Sequence, residues 1–138
     1  MTLAEKKIGF IGSGNMAEAL ISGIITSGIA RAENIMCSDI AEDRLKTLSE
    51  KYGVKTGTNN LEIASQAEII IYATKPQTLG SVLKETAPAL DMSKLIISIA
   101  AGVPLTAISS EVQKELRLIR VMPNICAFVK ESATALTA

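Results

Sequence analysis

The chain has 138 residues, enough for one domain with a sizeable core. Lysine plus arginine and aspartate plus glutamate balance at 14 each, so charge makes no case for nucleic acid or an anionic membrane surface. Hydrophobic residues make up 48% and aromatics only 3%, which disfavours base-stacking single-strand binders and leaves aliphatic packing layers.

The first expected strand is the apolar run Lys7 to Ile11, and the first helix spans Met16 to Thr26. Between them Gly12, Gly14 and Ala17 show the G-x-G-x-x-A spacing of a loop that holds a dinucleotide's pyrophosphate. Gly12 permits the tight turn, Gly14 has no side chain to keep the pyrophosphate off the backbone, and Ala17 lets the helix lie close to the sheet. The free N–H groups and positive end of the helix then face the phosphates. The spacing alone is weak evidence, because any tight strand-to-helix turn can show it. The strand before and the helix after are what favour a ligand over a bare turn.

A second strand is expected at Ile35 to Cys37, followed by Ser38-Asp39 and a helix at Glu42 to Tyr52. Asp39, about 25 residues beyond Gly14, suits the ribose hydroxyls of an adenosine and would repel a 2′-phosphate. It suits equally an N-cap for the helix at Glu42, and the two roles are compatible. Arg44 reads as a solvated helix residue or as a partial offset to that repulsion. A strand at Val54 to Thr56 and a helix at Leu61 to Ser65 follow. The run EIIIYA then places a doubly buried strand at Ile69 to Ala73, with Tyr72 as a core residue rather than a catalytic phenol.

After that strand stands Thr74-Lys75-Pro76-Gln77, in which the proline enforces an extended exit at Lys75. The lysine either faces ribose or phosphate oxygens or is solvated. A helix is expected at Thr78 to Leu90, a strand at Leu95 to Ile99, and then the small-residue stretch SIAAGVP, Ser98 to Pro104. Such residues serve close approach of a cofactor or tight αβ packing. A last helix at Leu105 to Gln113 leads to a strand at Leu118 to Val121 that empties into Met122-Pro123-Asn124. Asn124 suits a carboxamide or a substrate rim, or simply a turn. Strict alternation of strand and helix predicts right-handed crossovers and a mainly parallel α/β sheet covered on both faces. Its ligand site lies beyond the carboxyl ends of the strands.

Cys37 and Cys126 form no C-x-x-C pair and the chain has no histidine, so a zinc site of the usual ligands is not expected. The cysteines read as small apolar fillers. No apolar stretch approaches the length of a membrane span, and residues 1–7 lack a signal-peptide pattern, so the expected setting is cytoplasmic.

Taken in order, GFIGSGNMAEAL, ATKP, SIAAGV and RVMPN resemble pyrroline-5-carboxylate reductase over nearly all of the chain. The resemblance implies a Rossmann-type doubly wound α/β domain that uses NADPH or NADH to reduce the C=N bond of 1-pyrroline-5-carboxylate to L-proline. It implies that Gly12, Ser13, Gly14, Asn15 and Met16 form the pyrophosphate loop, that Ser38 and Asp39 flank the adenosine ribose, and that Asn60 sits near the same end. Ala73, Thr74, Lys75 and Pro76 would line the cofactor's middle. Ala100, Ala101 and Gly102 would lie beside the nicotinamide, and Met122, Pro123 and Asn124 would border nicotinamide and substrate. Two departures stand out: Ile125-Cys126 replaces the family's usual threonine-proline after MPN, and Asp39 stands where NADPH-preferring members often carry a neutral or basic residue.

Members of that family continue into a helical domain that dimerises and completes the substrate site. Residues 1–138 are therefore expected to be the NAD(P)-binding domain, with the dimerisation domain and its homo-oligomer contacts outside this chain. By itself such a chain would bind dinucleotide and reduce substrate poorly or not at all. No residue stands out as proton donor, since histidine is absent and Lys75 and the two tyrosines carry no spacing signal, so catalytic residues stay unassigned. Two other readings are open: a β-hydroxyacid or 6-phosphogluconate type of dehydrogenase, which shares the early glycine motif, and a non-catalytic dinucleotide-binding module such as a redox sensor.

Overall fold

Alternation of short aliphatic strands with amphipathic helices produces a seven-stranded sheet in the order β3-β2-β1-β4-β5-β6-β7. A computed structural model describes residues 5–100, 102–122 and 135–137. The strands are β1 (Ile8–Ile11), β2 (Ile35–Ser38), β3 (Lys55–Gly57), β4 (Ile69–Tyr72), β5 (Leu95–Ser98), β6 (Arg117–Met122) and β7 (Ala135–Thr137). The helices are α1 (Asn15–Thr26), α2 (Glu42–Tyr52), α3 (Asn60–Gln66), α4 (Pro76–Thr86) and α5 (Leu105–Val112). The first six strands pair in parallel, and β7 joins β6 antiparallel. Doubly wound topology is thus found, with its reversal of strand order between β1 and β4. Among the described residues no helix is long and apolar enough to cross a membrane.

Period-two alternation along each strand feeds separate cores on the two faces. Phe10 and Ile71 pack with Ala17, Ile21, Leu45 and Leu48 of α1 and α2. Ile11, Ile70 and Tyr72 pack instead with Ile63, Leu79, Leu83 and Ile108 of α3, α4 and α5. Full burial of each such aliphatic side chain contributes about 2 kcal/mol before chain entropy is counted. Gly9 belongs to this packing: a Cβ there would lie 2.9 Å from Ala67 Cβ and 3.0 Å from Ile63 Cγ2, so its absence lets α3 close onto β1. Tyr72 is fully buried. Thr86 Oγ1 donates to the Val82 carbonyl (2.9 Å), so at 2.6 Å the Tyr72 hydroxyl is the donor to Thr86. Burial raises the Tyr72 phenol to about 12, as suits a core residue.

Two helix limits differ from expectation because of proline. Pro76 is already in the first turn of α4, where its missing N–H costs nothing, so the helix starts two residues before Thr78. At the other end α4 stops at Thr86, and Ala87–Ala89 form a 3-10 turn rather than continuing to Leu90. Pro88 has no N–H for the α ladder, and its ring crowds the carbonyl four residues back. The edge strand β7 lies beyond the predicted elements, and its three residues are too short a segment for periodicity to reveal.

Candidate functional site

In-register parallel pairing sets Ile11, Ser38 and Tyr72 side by side at the carboxyl ends of β1, β2 and β4. The loop leaving β1 turns at Gly12, whose φ of +97° is a conformation that side chains resist. A Cβ there would also lie 2.9 Å from the Ala73 carbonyl carbon and oxygen, so Gly12 brings the loop against the end of β4. Ser13 is buried and turned inward, its Oγ donating to the Ser38 carbonyl at 2.9 Å. The Gly12 N–H reaches the same carbonyl at 3.0 Å. Gly14, the N-cap of α1, is exposed, and no atom lies within 4 Å of where its Cβ would be. Asn15 and Met16 follow in the first turn of α1, with Asn15 exposed. The open ground above α1 is where the helix N-terminus would meet an anion.

Both carboxylate oxygens of Asp39 accept backbone N–H groups, Oδ2 from Ser13 at 2.8 Å and Oδ1 from Ala41 at 2.9 Å. Asp39 therefore ties the glycine loop to the turn that leads into α2, whose N-cap position is Ala41. Ser38 is fully buried, and its Oγ donates to Asn60 Oδ1 at 2.6 Å, while Asn60 Nδ2 donates to Glu85 at 3.3 Å. Ser38 and Asn60 are thus brought together, with the polar side of Ser38 spent on Asn60. Next to them opens a cleft of about 450 Å³ lined by Ile40, Ala41, Glu42, Asp43 and Thr58. Ile40 is 94% exposed at its rim, an apolar side chain offered to solvent. An isoleucine inside the polar run S-D-I-A-E-D is the sequence signal of that exposure, and it belongs to none of the motifs above.

Arg44 is not a solvated helix residue. Its Nε donates to the Ser13 carbonyl at 2.6 Å and its Nη2 to the Gly14 carbonyl at 3.2 Å and to Glu18 Oε1 at 2.5 Å. The other Glu18 oxygen takes Tyr52 Oη at 2.7 Å and Lys51 Nζ at 3.0 Å. One carboxylate in the first turn of α1 thereby joins both ends of α2. The Tyr52 hydroxyl above all, with Lys51 and Arg44, holds the Glu18 carboxyl down to about 2 from 4.5, against the opposing pull of burial. A carboxyl lowered on folding stabilises fully above its unfolded value and loses that contribution as pH falls toward its folded value. Acid unfolding of the wild type should therefore steepen between pH 4.5 and about 2, and Glu18→Gln should flatten that limb. At neutral pH the same variant should lose about 1–2 kcal/mol, since water still screens part of the cluster. Urea titrations at stepped pH measure both.

The remaining predicted residues that are described follow the carboxyl ends of β4 and β5 or end β6. Lys75 caps α4 in extended geometry (φ −63°, ψ 148°), as Pro76 requires, and its side chain is exposed. Thr74 Oγ1 is buried without a hydrogen-bond partner between Ala73 and that cap. Ala100 is buried after β5, and Gly102 follows in left-handed geometry (φ +74°). Met122 ends β6. Ala101, Pro123 and Asn124, like Ile125 and Cys126, lie outside the described residues. Cys37 is buried inside β2, and burial pushes its thiol up, as expected of an apolar filler.

Residues 7–102 match the family model described as NADP oxidoreductase, coenzyme F420-dependent. The chain belongs to that family. A pyrroline-5-carboxylate reductase of Methanosarcina acetivorans is 46% identical over 134 residues, 97% of this chain and 50% of that protein. The enzyme of that name from Escherichia coli is 37% identical over 133 residues, 96% of this chain and 49% of that protein. The structure of a Coxiella burnetii pyrroline-5-carboxylate reductase superposes with a TM-score of 0.91 at 34% identity, over 95% of this chain and 48% of that one. Plasmodium falciparum pyrroline carboxylate reductase, solved with NADP bound, gives a TM-score of 0.86 at 31% identity, over 98% of this chain and 48% of that one. The resemblance expected from the motifs is found, and the chain spans about half the length of the curated relatives it matches.

Proposed function

We propose that this chain is the dinucleotide-binding part of a pyrroline-5-carboxylate reductase. The observation that carries the reading is Gly14. It caps α1 with open space where a side chain would stand, on a loop pinned from beneath at Ser13. Pyrophosphate rests on the N-terminus of α1, the adenosine lies toward Asp39, Asn60 and the Ile40 cleft, and the nicotinamide extends past Thr74 toward Ala100 and Gly102. When bound, the nicotinamide supplies the hydride that adds to the imine carbon of 1-pyrroline-5-carboxylate, while the imine nitrogen takes a proton. Support comes from the family match and from relatives of that name at up to 46% identity.

Within this reading NADH is the preferred cofactor, because the Asp39 carboxylate is fixed at the end of β2, where a 2′-phosphate would meet it. A helical domain outside residues 1–138 dimerises and closes the substrate site, and the enzyme works in the cytoplasm. Calorimetric titration of the chain with NADH and NADPH tests the binding half. NADH should bind more tightly. Tighter NADPH would overturn the role given to Asp39, and binding of neither would overturn the dinucleotide reading. Turnover of 1-pyrroline-5-carboxylate by the protein that includes the helical domain, with little by this chain alone, tests the catalytic half.

A further inference from the structure

We propose that Arg44 is a positioning residue of the dinucleotide loop, holding the Ser13 carbonyl so that the Gly14 N–H is aimed at the pyrophosphate. The inference rests on the dinucleotide reading above and adds a residue that the glycine motif does not contain. No cis peptide bond occurs among the described residues, so the peptide joining Ser13 to Gly14 is trans and its C=O and N–H point to opposite sides. Arg44 Nε takes that carbonyl at 2.6 Å from the α2 side. The N–H of the same peptide is then turned away from α2. The preceding peptide is fixed independently, its N–H held by Asp39 Oδ2 at 2.8 Å. Ser13 is therefore clamped on both flanks, by an acid from the end of β2 and a base from the first turn of α2.

Without the arginine this geometry has little to keep it. Glycine crosses the φ, ψ map at low cost, so a peptide next to Gly14 can flip and present its oxygen to the phosphates instead of its N–H. A carbonyl aimed at a pyrophosphate repels where an N–H would bind. Glu18 fixes the arginine in turn: the pair meets at 2.5 Å, with the side chains 25% and 17% exposed. Because that charge is already neutralised, Arg44 acts through direction rather than through net charge. Its effect should be the same for a cofactor with a 2′-phosphate as for one without.

The test compares Arg44→Lys, Arg44→Met and Lys51→Met with the wild type, using calorimetric Kd values for NADH and NADPH and ¹⁵N relaxation at the Gly14 amide. Lysine keeps the charge but not the fork of donors that spans the Ser13 and Gly14 carbonyls and Glu18. Both Arg44 variants should weaken NADH and NADPH by the same factor, about tenfold, and show new motion at Gly14. Lys51→Met removes a Glu18 partner on an exposed side chain and leaves the loop untouched, so it should change neither reading. Loss confined to NADPH would make Arg44 a counter-ion for the 2′-phosphate and overturn the proposal. Equal weakening by Lys51→Met would overturn it in favour of general α1–α2 stapling, and unchanged affinity in the Arg44 variants would overturn it outright. A wild type that binds neither dinucleotide refutes the function proposed above, whereas the relaxation measurement, which needs no ligand, still judges whether Arg44 holds the loop.

Discussion

Gly14→Ala should leave the fold standing and remove most dinucleotide binding. The residue has φ −77° and ψ −167°, extended geometry that alanine adopts readily, and no atom lies within 4 Å of the new methyl group. Stability should stay within about 0.5 kcal/mol of the wild type. The methyl group would occupy the open ground at the N-terminus of α1, on which the pyrophosphate of the proposed cofactor would rest. Displacing that contact should weaken NADH roughly hundredfold, equivalent to about 2.7 kcal/mol. Thermal melting and calorimetric titration of the one variant check both halves. Unchanged affinity would show that the pyrophosphate does not lie on this loop.

The neighbouring glycine should behave in the opposite way. Gly12→Ala meets two separate costs: a φ of +97° that alanine resists, and a methyl carbon 2.9 Å from the Ala73 carbonyl and 3.0 Å from the Thr74 nitrogen. Those neighbours are backbone atoms at the end of a central strand, so neither can swing aside as a flexible side chain would. The expected loss is about 3 kcal/mol of stability, read from urea unfolding. Affinity should fall as well, because relief of the clash must move the loop or β4. A stability loss for Gly12 without one for Gly14 would separate the glycine that shapes the turn from the glycine that makes room for a ligand.

Much of the architecture was legible from local pattern. The short apolar runs became strands because a strand in a sheet covered on both faces buries every side chain, and all four residues of β1 and of β2 are buried, Ser38 included. The glycine loop, the extended exit at Lys75 and the core position of Tyr72 were equally readable, since backbone freedom, proline geometry and hydrophobicity act within a few residues. The missed details were also local but subtler. Pro76 opened α4 instead of preceding it, and Pro88 ended it early.

What escaped the sequence was the wiring of the site. Arg44 stands 31 residues from Ser13 and 26 from Glu18, and Asp39 stands 26 from the Ser13 N–H that it holds. No periodicity links such positions, because their meeting depends on how α2 docks beside α1 once the sheet has formed. Arg44 carries the same charge on a solvated helix as on a loop carbonyl, so its residue type is silent about its partner. By itself the sequence determined that strands and helices alternate and that a glycine turn opens α1, leaving an opening at Gly14, because those follow from torsional preference and burial over short distances. Tertiary structure alone decided which side chains hold that opening in shape, since hydrogen bonds of 2.6 to 2.8 Å tolerate no error in the relative placement of β1, β2 and α2.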